Sequence, residues 1–198
     1  MGENINFLTP DLKQIRHSIK DIDDSYNHEW DILAELCQNA VDAIRKSKIE
    51  DGIINLRIDA INNSIFISDN GIGIDPDELP ILLKPFATNK RDDNDAVGEK
   101  GVGLTFVLFS CNDFRIKSGN NNGSSTGLIK DARIWKERTD DAPLHLDFQE
   151  SSESFYGTEI TLNKISDCPI FMLNFNQLKY TLRTKTAIGS TRFIWDND

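Results

Sequence analysis

The chain has 198 residues, with 22 Lys and Arg against 32 Asp and Glu and a formal net charge of −10. That balance excludes an electrostatic nucleic-acid binder for the domain as a whole, and no apolar run approaches the roughly 18 residues that a membrane helix needs. The polar N-terminus is unlike a signal peptide, and Cys37, Cys111 and Cys168 are scattered without CxxC spacing. These features point to reduced thiols in a cytoplasmic protein and away from a disulfide framework or a zinc site.

Residues 1–28 are polar and mixed in charge, with one short apolar pattern through Leu12, Ile15 and Ile19. They read as a short helical extension feeding a turn, with His17 and His28 as surface histidines. The next stretch, Glu29 to Lys46, is the most informative in the chain. Leu33, Leu36, Cys37, Ala40 and Ile44 recur at helical spacing on one face. Glu35, Asn39 and Asp42 form a second, polar stripe. Taken alone, that helix is an ordinary amphipathic surface element with a solvated outer face.

After a polar break, Ile53–Ala60 and Ser64–Ser68 alternate in the strand period around Asn62-Asn63, which predicts an antiparallel hairpin. The second strand runs into Asp69-Asn70-Gly71-Ile72-Gly73. Asp75-Pro76 then predicts an N-cap and a short helix over residues 77–83. From Pro85 to Lys100 periodicity is lost in PFATNKRDDNDAVGEK, a polar loop of the kind that covers binding sites. Gly101-Val102-Gly103 closes it and opens an apolar helix, the arrangement by which backbone amides cradle phosphate.

Beyond it, Phe114–Ser118 reads as a strand and Gly119–Gly127 as a flexible turn without chemistry. Strands are expected at Leu128–Trp135, Leu144–Phe148 and Thr158–Leu162, and an amphipathic helix at Asn174–Ile188. Irregular alternation dominated by hairpins implies an α+β chain, helices covering one face of a mostly antiparallel sheet. The expected organisation is an N-terminal extension over 1–28, a main domain over 29–163 and a helical segment over 164–198 that leads towards a further domain.

Four motifs stand in order: ELCQNAVDA around Glu35, DNGIGI from Asp69, GEKGVGLTFV from Gly98 and GTEITL from Gly157. Together they resemble the ATP-binding domain of the GHKL superfamily, which contains gyrase B subunits, ninety-kilodalton heat-shock chaperones, histidine kinases and MutL-type proteins. The lid sequence is closest in feel to MutL- and MORC-type members. The resemblance implies the Bergerat-type fold, a two-layer sandwich of helices on a mostly antiparallel mixed sheet, with ATP and Mg²⁺ as cofactors.

It also implies roles. Asn39 would ligate Mg²⁺, an ion that keeps most of its water and takes few protein oxygens. Glu35 would be the general base that activates water, with Asp42 supporting that shell. Asp69 would accept a hydrogen bond from the adenine amino group, joined by Thr158. Gly71 and Gly73 would let the backbone pass the base and ribose. Gly98, Gly101, Val102 and Gly103 would meet the phosphates, with Thr88 and Lys90 standing near the nucleotide. Lys185 lies downstream and matches no motif.

Three functions follow from the resemblance. The first is Mg-dependent ATP binding with slow hydrolysis, the domain acting as a conformational switch in a larger protein and pairing with a second copy when loaded. The second is a protein kinase of the histidine or anti-sigma type, and the third an ATP-sensing module without catalysis. Glu35 with Asn39 favours hydrolysis, and no long phosphoacceptor helix precedes the domain. Neither a membrane nor nucleic acid is indicated as a partner.

Overall fold

Strand alternation around Ile65, Ile116 and Ile160 builds a sheet whose one face carries nearly all the large apolar side chains. The computed structural model describes residues 11–28, 30–87, 102–166 and 168–189. Its elements are α1 (Leu12–Ser25), α2 (Asp31–Ser47), β1 (Ile54–Asp59), β2 (Ser64–Asp69), α3 (Leu79–Leu82), α4 (Val102–Phe109), β3 (Cys111–Asn120), β4 (Gly123–Ile129), α5 (Ala132–Glu137), β5 (Leu146–Ser151), β6 (Gly157–Ile165) and α6 (Phe175–Lys185). Single 3₁₀ turns at Pro169–Met172 and Ala187–Gly189 flank α6. The strands form one six-stranded sheet in the order β1-β2-β6-β3-β4-β5. Every described pairing is antiparallel, so the fold is the expected α+β sandwich without a parallel pair.

Register sorts the covered face into rows, because residues two apart on a strand share a face. Ile65, Leu162, Phe114 and Ile129 lie side by side across β2, β6, β3 and β4. Ile67, Ile160, Ile116 and Gly127 make the next row, and Asp69, Thr158, Ser118 and Ser125 the last. The face thus passes from fully apolar to polar along the strands. Helix α2 lies over it with Leu33, Leu36, Cys37 and Ala40 buried, as the apolar stripe predicts. Burial pushes the Cys37 thiol up to about 11 and that of Cys111 to about 12, which suits packing residues rather than nucleophiles.

Helix α1 begins with a capping box between Asp11 and Gln14 and buries Ile19 completely in the common core. Its Arg16 lies over the Trp135 ring and donates to the carbonyls of Asp140 and Ala142. Asp23 pairs with Lys136 of α5. Helix α6 has a second capping box, Asn174 with Gln177, and leaves Phe175 and Tyr180 exposed.

Three local expectations are corrected. Residues 123–127, read as part of a flexible turn, belong to β4. Their Gly, Ser and Thr are small because the strand is buried among neighbours: Gly127 sits against Leu83, Leu146 and Ile116. The stretch expected as a strand to Trp135 ends at Ile129 and turns at Asp131, whose φ of 58° breaks the extended backbone. Residues 132–137 are then helical, burying Ala132 and Trp135. The helix after Asp75 is shorter than predicted. Asp75 accepts from the Asp77 amide at 3.1 Å in a turn, and Glu78 is the N-cap of α3.

Because Ile19 is wholly enclosed, α1 is expected to stabilise the domain rather than trail from it. Ile19→Ala should lower unfolding free energy by about 2–4 kcal/mol, the usual cost of a buried large-to-small change. Urea denaturation measures this, and a loss below about 1 kcal/mol would mean that α1 is loosely docked.

Candidate functional site

A pocket opens where the polar row of the sheet emerges beside α2. Its floor is Ile67, Ile116 and Ile160, its α2 wall carries Glu35, Leu36, Asn39, Ala40 and Ala43, and Asp69 and Thr158 close one end. The start of α4, with Gly103 and Leu104, forms another side. The polar stripe of α2 is therefore not a solvated face. Asp42 also lines the pocket, is only 5% exposed, and accepts a hydrogen bond from Gln38 Nε2 at 2.9 Å.

Asp69 is a strongly perturbed carboxylate. Burial raises it to about 6, against the backbone amides of Gly71 and Thr158, which pull it down. The Gly71 amide donates to Asp69 Oδ1 at 2.8 Å. Opposite it, the Thr158 and Ser118 hydroxyl oxygens are 2.8 Å apart. Ser118 gives its one proton to the Gly157 carbonyl at 3.0 Å and accepts from the Ile74 amide at 2.9 Å. Thr158 must then donate to Ser118, which leaves the lone pairs of Thr158 for whatever enters the pocket.

Backbone crowding holds this corner together. Gly73 and Gly157 have φ of 69° and 94°, a region that L side chains rarely adopt. A side-chain carbon on Gly157 would overlap the Asp69 carbonyl, and one on Gly73 the Gly119 carbonyl. Gly71 packs against the α2 backbone at Ala43, where the Ile72 amide donates to the Ala43 carbonyl at 3.0 Å. These contacts explain Gly71 and Gly73 through protein packing.

At the other end, Gly103 leaves room for the Glu35 carboxylate, which any side chain there would strike. Tyr26 donates to Glu35 Oε1 at 2.9 Å. Val102 is the first residue of α4. Of the remaining predicted residues, Thr88, Lys90, Gly98 and Gly101 lie outside the described residues, as does most of the segment expected as a lid. Lys185 is not at the pocket; its Nζ stands 4.9 Å from the centre of the Trp30 ring.

With Glu35, Asn39, Asp42, Asp69, Gly73, Gly103 and Thr158 around one pocket, the comparison with known families becomes decisive. The family model described as Histidine kinase-, DNA gyrase B-, and HSP90-like ATPase matches residues 30–164. The chain belongs to this family. A search among curated proteins returned no match. Membership in this ATPase family supports ATP binding by the chain.

For a member of this ATPase family, sequence reading missed three residues. Lys46 lines the pocket at i+7 from Asn39 on α2, a signal available in the helical spacing. Ser118 appears as an ordinary strand residue, and only the register beside Thr158 reveals its part. Tyr26 lies outside every motif.

Asp69 gives this ATPase-family domain a pH signature. Its folded pKa is raised, so native Asp69 holds a proton more tightly than the unfolded chain does. Its contribution to stability therefore falls as pH rises from about 3.8 to about 6. Asp69→Asn, which can still accept from Gly71, should stabilise the nucleotide-free domain at pH 7 by on the order of 1–3 kcal/mol. The gain should shrink towards pH 4. Denaturant titrations at both pH values measure it, and a destabilised variant at pH 7 would refute the burial cost.

Proposed function

We propose that this domain binds Mg-ATP in the pocket between α2 and the sheet and hydrolyses it slowly, the nucleotide acting as a conformational switch within a larger cytoplasmic assembly. The observation that carries the reading is Asp69, a desolvated carboxylate at the polar end of an otherwise apolar pocket. Burying such a group is costly unless a donor meets it. The exocyclic amine of adenine is such a donor, while guanine would bring a carbonyl. Thr158, which lines the same end of the pocket, adds a second acceptor for an amine or a bridging water. Ile67, Ile116 and Ile160 suit the face of a flat base.

The other end suits phosphate chemistry. Val102 and Gly103 open α4, whose N-terminal amides favour an anion. Among the described residues no three His, Cys, Asp or Glu side chains converge as a metal cage. The donor set therefore fits a phosphate-borne Mg²⁺ with Asn39 as its protein oxygen, rather than a resident metal. When bound, that ion would neutralise phosphate charge and orient the terminal group. Glu35, on the same helix one turn before Asn39, would take the proton of the attacking water, while Asp42 and Gln38 brace the wall. The switch would report through pairing of two loaded copies.

Two experiments separate binding from chemistry. Calorimetry should find ATP or ADP with Mg²⁺ bound and GTP largely ignored; equal affinities would remove the adenine assignment. Glu35→Ala should keep nucleotide affinity and lower turnover by about 10²–10⁴-fold, the range of a positioned general base. Asn39→Ala should instead lose Mg²⁺-dependent binding. Turnover unchanged by Glu35→Ala would leave ATP binding standing without hydrolysis.

A further inference from the structure

We propose that Tyr26 is a positioning residue for Glu35, and that it ties the orientation of the base to the seating of α4. The inference rests on the hydrolytic reading above and adds to it a residue outside the family-matched segment, which begins at residue 30.

A glutamate has three rotatable side-chain bonds, and a general base must be held close to one geometry to be effective. Tyr26 supplies that constraint. Its hydroxyl donates to Glu35 Oε1 at 2.9 Å, so Oε2 is the oxygen turned towards Gly103 at the start of α4. The proton is not easily lost from the phenol. Burial and the neighbouring carboxylates of Glu35 and Asp31 push its pKa far above the ordinary tyrosine value, so Tyr26 remains a donor across the working pH range.

Tyr26 is itself fixed from two sides. It is the C-cap of α1, with its amide donating to the Asp23 carbonyl at 3.0 Å. Its ring stacks on Phe106 of α4, with centroids 3.8 Å apart and planes 7° from parallel. One side chain thus connects the end of α1, the α2 carboxylate and the helix whose first turn borders the phosphate end of the pocket. A shift of α4 would move the platform under Tyr26 and change the carboxylate it holds.

Tyr26→Phe removes only the hydroxyl and keeps the stacked ring, so folding is not at issue; thermal denaturation of the variant checks this. Single-turnover hydrolysis by the full chain should then slow about tenfold, with nucleotide affinity unchanged. In the Glu35→Ala background the same change should have no further effect, because the group it positions is gone. A variant that hydrolyses as fast as the native chain, or one that slows the Glu35→Ala protein equally, would overturn the positioning role. If Glu35→Ala slows hydrolysis while Tyr26→Phe does not, this inference fails and the hydrolytic reading stands. If Glu35→Ala itself has no effect, both fail together.

Discussion

Asp69 sits in the last row of the covered sheet face, where an apolar surface gives way to polar side chains. Behind it lie two rows of Ile, Leu and Phe; beside it stand Thr158, Ser118 and Ser125. A carboxylate in that position is raised to about 6 by desolvation, and only backbone amides oppose the shift. Much of the local architecture exists to keep it there. The crowded backbones at Gly73, Gly119 and Gly157 lock the corner, and Asn70 anchors the following loop through the Ile53 amide and the Asp51 carbonyl. The domain accepts a stability cost at one residue, and under the proposed function a ligand with a matching donor would recover it.

Helix α2 divides its work along its two stripes. One stripe supplies Leu33, Leu36, Cys37 and Ala40 to the core, and that packing fixes the rotation of the helix. The polar stripe is then committed to the pocket, with Glu35 nearest α4 and Asn39 and Lys46 further along. Hydrophobic burial on one side thus sets the position of the pocket-lining polar side chains on the other. Tyr26 and Gly103 refine it locally, by bonding to the carboxylate and by leaving space for it.

Much of this was legible in the sequence because the signals were local. The period of α2, the β1–β2 hairpin and the capped α6 needed no knowledge of distant residues. Strand β4 was not legible, since Ser124, Ser125 and Gly127 carry no apolar alternation and are buried only because β3 and β5 flank them. Helix α5 was misread for a related reason. Its six residues are too few to show a period, and the left-handed turn at Asp131 falls on a residue with no Gly or Asn signature. Gly71 and Gly73 drew attention as passages for a ligand; Gly71 packs on Ala43, while Gly73 meets Gly119 and also lines the pocket. The Tyr26–Glu35 bond joins residues nine apart across a bend between two helices, and no spacing rule anticipates it.

The central claim is that Asp69 recognises an amine of the base, and proton linkage tests it most directly. Burial raises Asp69 to about 6 in the free domain, and accepting a hydrogen bond from adenine favours the ionised form. Calorimetric titration with ADP at pH 6, in buffers of different ionisation enthalpy, should show the native chain releasing more protons than Asp69→Asn does. Identical proton release by the two proteins, with ADP bound equally well, would contradict the assignment of Asp69 as the adenine-reading group.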